Sequence, residues 1–214
     1  MIMKKFLHSC ILLEINGLKL LIDPGLFSFI EKLISPEDIG PVDIILISHQ
    51  HVDHMDPQAI KSILKLRDAK IFAHKEVVDI LHKEGITANE ILAGQTLKHG
   101  EFTIKAIEAM HEPIPGSCPA NLAFLINDKI FHPGDSYQTK IQCEILLLPI
   151  AGPWARTVDA IEFAKHVNPR MAIPIHDGII KEFMLDRMYA MFTQQLSSVG
   201  IEFKPLLLGE KLKL

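Results

Sequence analysis

Short apolar runs alternate with longer amphipathic stretches along the whole chain. In the first half the runs predict β-strands near residues 4–7, 10–15, 19–22, 44–47 and 70–73. In the second half they predict strands near residues 101–110, 121–127, 129–131, 145–149, 170–175 and 202–207. The amphipathic stretches predict helices near residues 57–66, 76–84, 158–167 and 181–199. This alternation permits two sheets that are covered on the outside by helices, which is an α/β architecture.

Turn residues sharpen two of these predictions. Asn16-Gly17 separates the second and third runs, and this pair favours a tight β-hairpin. Asp56 before Pro57 predicts the beginning of a helix, because aspartate caps the first amides and proline suits the first turn. The apolar stretch 26–30 falls where a loop is expected. It is either a helical lid packed on the core or an exposed rim of the pocket that favours an apolar or aromatic group.

Length and composition agree with one compact domain over residues 1–214. Hydrophobic residues make up 48% of the 214 positions, which excludes a disordered chain. The formal net charge of −4 provides no basic field, so we expect a small-molecule substrate rather than a nucleic acid. The longest apolar runs are too short for a membrane span or a secretory signal. The 3 cysteines have no C-x-x-C spacing and favour the cytoplasm, whereas homo-oligomer formation is left open.

The densest chemistry follows the predicted strand at 44–47. The chain there reads Ser48-His49-Gln50-His51-Val52-Asp53-His54. Imidazole nitrogens and a carboxylate oxygen are suitable ligands for zinc, iron or manganese. Alternate residues of an extended loop point the same way, so His49 and His51 can share one ion. A polar loop that happens to be rich in histidine is the competing interpretation, but the strand before it favours a metal site.

Three further predicted strands lead to a histidine or aspartate that is followed closely by proline, glycine or serine. These residues are His111, Asp135 and His176. This pattern is typical of a strand that delivers a ligand to the edge of a sheet and then turns away. Four clustered residues cannot enclose two ions, so these three are the candidates for the remaining ligands.

The set of motifs resembles the metallo-β-lactamase-fold superfamily of metal-dependent hydrolases. In chain order the matching positions are His49-x-His51-x-Asp53-His54, His111, Gly134-Asp135 and His176. The resemblance covers nearly the whole chain and implies a four-layer αββα sandwich. His8-Ser9 and Ile173-Pro174-Ile175-His176 resemble the small single-domain branch. That branch includes proteins like L-ascorbate-6-phosphate lactonase and N-acyl-phosphatidylethanolamine phospholipase D.

The resemblance also implies a dinuclear metal centre with seven ligands. His49, His51 and His111 would hold the first metal, Asp53, His54 and His176 would hold the second, and Asp135 would bridge both. The expected cofactors are two divalent transition-metal ions. Zinc is the first expectation, and manganese or iron suits the same ligands. Asp53 and Asp135 are the candidate catalytic residues, since a carboxylate beside such ions commonly handles the proton passed to the leaving group.

The expected reaction is hydrolysis of a small ester, lactone or phosphodiester by a metal-bridged hydroxide. One alternative is a phosphodiesterase or nuclease on the same dinuclear site. Another is a non-catalytic metal-binding sensor or partner module, although all seven ligand positions are filled. No glycine-rich phosphate cradle occurs, and only Arg156 and Lys181 supply positive charge just after the motif segments. This weighs against a strongly phosphorylated substrate.

Several other polar or aromatic residues have two interpretations. Asp23 resembles the family's structural aspartate, which supports the histidine loop through hydrogen bonds. His8 is either a hydrogen-bond partner near the metals or a solvent-facing residue at a strand edge. Trp154 is either a core residue or a pocket wall, and Cys118 either lies at the surface or approaches the pocket. The histidines expected to be structural or surface residues are His132, His74, His82, His99 and His166.

Overall fold

Two seven-stranded sheets dominate the structure, and each belongs to its own unit of the chain. The computed structural model describes residues 1–139 and 141–214. The first unit contains Met1–Leu92 and Leu206–Leu214, and the second contains Ala93–Pro205. The expectation of one domain over residues 1–214 stays a prediction. Over the described ranges, no helix is long and apolar enough to cross a membrane.

The sheet of the first unit is mixed and has the strand order β14-β1-β2-β3-β4-β5-β6. Its strands are β1 (Ile2–Lys5), β2 (Ile11–Ile15), β3 (Leu18–Ile22), β4 (Ile44–Ile47), β5 (Lys70–Ala73), β6 (Asn89–Glu90) and β14 (Lys211–Lys213). Pairing is antiparallel from β14 to β3 and parallel from β3 to β6. The hairpin between β2 and β3 turns as predicted. Asn16 and Gly17 have φ angles of 48° and 86°, as a tight hairpin turn with two left-handed residues requires.

Two helices, α1 (Pro57–Leu64) and α2 (Lys75–Lys83), bury their apolar faces in the core of the first unit. Their buried residues recur at helical spacing, for example Ile60 and Ile63 in α1. Asp56 caps α1 as predicted, because its side chain accepts from the amide of Gln58 at 2.9 Å. Two short 3-10 turns, Leu26–Ser28 and Pro36–Ile39, connect β3 to β4.

The sheet of the second unit is also mixed, with the order β13-β12-β11-β10-β9-β8-β7. Its strands are β7 (Thr96–His99), β8 (Phe102–Glu108), β9 (Leu122–Ile126), β10 (Ile130–His132), β11 (Ile145–Pro149), β12 (Met171–Ile175) and β13 (Glu202–Phe203). Pairing is antiparallel from β7 to β10 and parallel from β10 to β13. The helices α3 (Thr157–Val167) and α4 (Glu182–Ser197) cover it, and their buried residues share one hydrophobic cluster with β11 and β12.

The parallel strands place the candidate ligands. In the first unit, β3 ends just before Asp23 and β4 ends just before Ser48 and His49. In the second unit, β10 leads to Asp135 and β12 ends just before His176. Ligands in α/β proteins gather at the carboxyl ends of parallel strands, because neighbouring strands then deliver their loops to one edge. These residues lie at strand ends, as the pattern in the sequence predicted, and their role as metal ligands stays a prediction.

Five strands differ from the sequence-based expectations. The first strand spans residues 2–5 rather than 4–7, because the chain turns at residues 6–10. The last predicted strand, 202–207, shortens to β13, and β6, β7 and β14 were not predicted. These short strands are rich in polar residues, so their pairing partners rather than their own hydrophobic pattern stabilise them.

Candidate metal centre

The loop after β4 carries four of the predicted ligands. Nε2 of His49 lies 3.0 Å from Nδ1 of His51. Two nitrogen ligands of a tetrahedral ion lie about 3.3 Å apart when the metal–nitrogen bonds are about 2.0 Å long. The His49–His51 pair therefore has a separation that suits one shared ion. Oδ2 of Asp53 lies 3.7 Å from Nε2 of His54, which makes a second pair on the same loop.

A close backbone approach holds this loop. The amide of His54 donates to the carbonyl of His51 at 3.0 Å, so the chain turns tightly between the two ligand pairs. Gly25, which follows β3, packs directly against the backbone of Asp53. A Cβ at Gly25 would overlap that backbone, so only glycine permits the contact.

Asp23 and Ser48 form a buried hydrogen-bond network beneath the ligands. Oδ1 of Asp23 accepts from the Ser48 amide, and Oδ2 accepts from the Ser48 hydroxyl and from Nδ1 of His54, each at 2.7 Å. The Ser48 hydroxyl also lies 3.0 Å from Nδ1 of His49, from which it accepts. Bonds at Nδ1 direct Nε2 of both histidines toward the ligand side. The supporting role expected for Asp23 is confirmed.

His8 also belongs to the donor set of the first unit. Its side chain is fully buried, so the solvent-facing interpretation is wrong. Nε2 of His8 lies 3.1 Å from Oδ2 of Asp53, and the ring packs edge-on against Phe27 with centroids 5.3 Å apart. His8 has a φ angle of 58° in the turn after β1. In that left-handed conformation the ring lies inside the protein. The sequence did not predict the turn, because a histidine rather than a glycine occupies this position.

The second unit gathers its three predicted ligands around one carboxylate oxygen. Oδ2 of Asp135 lies 3.2 Å from Nε2 of His176 and 3.5 Å from Nε2 of His111. All three side chains are buried, with Asp135 only 1% exposed. Nδ1 of His111 donates to the carbonyl of Glu112 at 2.6 Å, which directs its Nε2 toward Asp135.

Asn121 positions the turn that carries Asp135, and the sequence did not identify this role. Its Oδ1 accepts from the amide of Asp135 at 3.2 Å, and its Nδ2 donates to the carbonyls of Ala109 and Pro133 at 2.9 and 3.1 Å. Gly134 has a φ angle of 61°, and a Cβ there would overlap the Asn121 side chain. One buried amide thus joins β8, β9 and the turn after β10.

Two aromatic residues, Tyr137 and Trp154, lie beside the candidate ligands of the second unit. Trp154 is half-buried and its indole contacts the ligand side chains, so the pocket-wall interpretation describes it better than the core interpretation. The Tyr137 hydroxyl donates to the carbonyl of Pro149 at 2.8 Å. Burial raises the pKa of Tyr137 far above its usual value, and the charge of Asp135 raises it further. Tyr137 therefore stays a hydrogen-bond donor at neutral pH.

The remaining predictions for single residues divide between surface and interior. His132 is buried and structural, because its Nδ1 accepts from the amide of Gly134 at 3.1 Å. Cys118 is exposed. In the stretch 26–30, Phe29 packs in the core whereas Ile30 is 57% exposed. The core interpretation therefore describes Phe29, and a pocket rim at Ile30 stays a prediction. The four histidines expected at the surface are exposed or half-buried, and they are His74, His82, His99 and His166.

The chemistry of the donors fits divalent transition metals. Each unit offers buried imidazole nitrogens together with a carboxylate oxygen, and the ligand atoms within each set lie at most 4.8 Å apart. In the first unit, such close atoms belong to His8, Asp53 and His54 and, separately, to His49 and His51, and in the second unit they belong to His111 and Asp135. Mixed nitrogen and oxygen donors suit zinc, manganese or iron, whereas calcium and magnesium prefer oxygen alone.

Comparison with known proteins agrees with this chemistry. The family described as Beta-lactamase superfamily domain matches residues 3–176. A UPF0173 protein of Pyrococcus abyssi is 31% identical over 179 residues, which cover 80% of each chain. A UPF0173 metal-dependent hydrolase of Thermoplasma acidophilum is 33% identical over 182 residues, which cover 79% of this chain and 80% of the relative.

The fold has a solved counterpart as well. The metallo hydrolase Igni18 from the archaeon Ignicoccus hospitalis superposes with a TM-score of 0.73 at 21% identity. The match covers 99% of this chain and 97% of that protein. It confirms the predicted fold class, an α/β sandwich of the metallo-β-lactamase type with two mixed sheets flanked by helices. The chain belongs to the beta-lactamase superfamily domain family, and within it to UPF0173, several of whose members are named metal-dependent hydrolases.

Proposed function

We propose that this protein is a dinuclear metal-dependent hydrolase that acts on a small ester, lactone or phosphodiester. The observation that carries the proposal is the gathering of buried histidine and aspartate side chains at the carboxyl ends of parallel strands in each unit. Burying imidazoles and carboxylates is costly unless they are hydrogen-bonded, paired or bound to a cation, and one cation would serve several of these side chains at once. The hydrolase names of the UPF0173 relatives support the same reaction class.

The assignment of ligands follows the family resemblance. The resemblance implies that His49, His51 and His111 would hold one ion, that Asp53, His54 and His176 would hold a second, and that Asp135 would be shared by both. When bound, such a pair of ions supplies Lewis-acid stabilisation of a developing oxyanion and a hydroxide nucleophile near neutral pH. Zinc is the proposed metal, and manganese or iron would fit the same donors.

The protein side chains contribute orientation and proton transfer. Asp23 and Ser48 set the orientation of His49 and His54 through bonds at Nδ1. Asp53 is the candidate acid that passes a proton to the leaving group. Its carboxylate is 14% exposed, in contrast to the 1% of Asp135, so a substrate can reach it. The bond from His8 to Oδ2 of Asp53 orients this carboxylate.

Charge favours an ester or lactone over a strongly phosphorylated substrate. Of Arg156 and Lys181, the two basic residues just after the motif segments, Arg156 lies at the start of α3. Its guanidinium makes a two-pronged ion pair with Asp159, with contacts of 2.6 and 2.7 Å. The carboxylate of Asp159 therefore already compensates the positive charge of the Arg156 guanidinium. The experiment below distinguishes this proposal from the phosphodiesterase or nuclease alternative and from the sensor alternative.

We also propose that the protein acts in the cytoplasm. Cys10, Cys118 and Cys143 are thiols in the structure. Burial raises the pKa of Cys10 well above its usual value and that of Cys143 to about 12. These two residues therefore behave as small apolar residues, which agrees with a reducing compartment.

The test is elemental analysis combined with a substrate panel. Wild-type protein purified without chelator should hold close to two transition-metal ions per chain. Asp135→Ala should hold fewer, because the bridge is lost. Asp79→Ala, an exposed residue paired with Lys75, is the matched control and should keep wild-type metal content. The panel contains p-nitrophenyl esters, lactones and bis-p-nitrophenyl phosphate.

The panel separates the candidates. Hydrolysis of esters or lactones supports the proposal, and a clear preference for the phosphodiester supports the phosphodiesterase alternative. Metal binding without any hydrolysis would favour the sensor or partner module. Wild-type protein that holds no metal and cannot be reconstituted would contradict the proposal.

A further inference from the structure

The indole of Trp154 makes a direct hydrogen bond to the carboxylate proposed to bridge the metals. Nε1 donates to Oδ2 of Asp135 at 3.1 Å. The same oxygen faces Nε2 of His111 and Nε2 of His176. The indole ring stands edge-on to both histidines, with centroids 6.0 and 5.5 Å away. One N–H group therefore reaches the point on which three proposed ligands converge.

The loop after β11 is built to hold the indole there. Gly152 passes so close that a Cβ would lie 3.0 Å from the Trp154 ring and 3.5 Å from His176. Any larger residue at 152 would push the indole away from the ligands. On the other side, Tyr137 packs against Trp154 with centroids 5.2 Å apart and against Phe163 of α3 at 5.4 Å. The ring is thus fixed from two directions.

We propose that Trp154 is a positioning residue that orients Asp135 for metal binding, an inference that rests on the proposed function. A carboxylate can rotate about its last bond, and Asp135 is too buried for water to restrain it. A charge-assisted bond from a rigid indole removes that freedom. Residues that hydrogen-bond to metal ligands typically change metal affinity about 10–100-fold when they are mutated. Packing alone would not require the N–H group.

The first test observes the indole N–H in the intact protein. Trp154 is the only tryptophan, so a proton–nitrogen correlation spectrum of isotope-labelled protein contains one indole signal. We expect that proton to exchange slowly with solvent in wild type. In Asp135→Ala it should exchange at least about tenfold faster, because a hydrogen bond to a charged group is lost. Equal exchange in the two proteins would overturn the inference.

The second test measures metal binding. Metal-depleted wild type, Trp154→Phe and Phe183→Leu are titrated with Co²⁺ and followed by visible absorption. Phenylalanine keeps an aromatic ring but lacks the N–H donor, so Trp154→Phe should bind Co²⁺ about 10–100-fold more weakly and with an altered spectrum. Phe183 is 72% exposed on α4, and Phe183→Leu should match wild type. Circular dichroism checks that each variant is folded.

The outcomes distinguish this inference from the proposed function. Wild type that binds two Co²⁺ ions, together with a Trp154→Phe variant of unchanged affinity and spectrum, would contradict the role of Trp154 and leave the hydrolase proposal standing. Wild type that binds no Co²⁺ would contradict both. If Trp154→Phe does not fold, the role of Trp154 is judged from the exchange rate of its indole proton in wild type and in Asp135→Ala.

Discussion

Asp23→Asn should uncouple the histidine loop from β3 with almost no change in shape. Asp23 is fully buried and accepts three hydrogen bonds of 2.7 Å, two from Ser48 and one from His54. Asparagine has the same size and tolerates the φ angle of 49° at this position. The substitution therefore removes the charge and one acceptor oxygen while leaving the backbone as it is.

The magnitude follows from the three bonds. If the amide oxygen takes the Oδ2 position, the new NH₂ group faces the Ser48 amide, and one bond becomes a contact between two donors. In the opposite orientation, the bonds from the Ser48 hydroxyl and His54 are lost, so the first orientation is cheaper. A hydrogen bond to a charged group contributes about 1.5–3 kcal/mol, and the surviving bonds become weaker neutral ones. We expect the free energy of unfolding to fall by about 2–4 kcal/mol.

Urea unfolding of metal-free protein, followed by circular dichroism, measures this change without the stabilisation that bound metal adds. Asp43→Asn is the matched control. Asp43 also accepts from a backbone amide, that of Lys19 at 2.8 Å, and pairs with Arg67 at 2.7 Å. Arg67 is 49% exposed, so this pair should contribute less than about 1 kcal/mol. Equal losses in the two variants, with wild-type Co²⁺ affinity in Asp23→Asn, would refute the role assigned to the network.

Three further predictions test the loop, the acid and the thiols. Asp53→Asn should lower kcat on an accepted substrate at least about 100-fold with the fold intact by circular dichroism, whereas His74→Ala should change it little. Gly25→Ala should reduce both stability and metal content, because the added methyl displaces the backbone of Asp53; wild-type values in both assays would contradict this. A thiol reagent at about pH 8 should label only Cys118 quickly, because burial raises the pKa of the other two thiols. Rapid labelling of all three would refute the burial argument.

The places of the candidate ligands at strand ends could be predicted because their chemistry and their local structure agree. Each candidate follows an apolar run that forms a strand, for example β4 before His49 and β12 before His176. Buried histidine and aspartate side chains at the end of a strand have few roles other than metal binding or catalysis. The cap at Asp56 and the hairpin at Asn16-Gly17 were predictable for the same reason, since each depends on neighbouring residues only.

The supporting contacts could not be predicted, because they join residues distant in sequence. Asn121 reads as an ordinary polar residue before a strand, and only the fold shows its bonds to the turn around Asp135. The bond from His8 to Asp53 spans 45 positions and depends on a left-handed turn without glycine. The strand β14 has three residues, of which two are lysines, and it exists because β1 offers an edge.

The central claim is that metal ions held by these residues perform hydrolysis. The most direct measurement is the ester and lactone hydrolysis rate of metal-depleted protein as zinc, manganese or iron is added in increasing equivalents. We expect no activity without metal and a rate that rises to a plateau at two ions per chain, whereas Asp135→Ala should show no such rise. Activity that is independent of added metal, or a fully loaded protein that hydrolyses nothing in the panel, would contradict it.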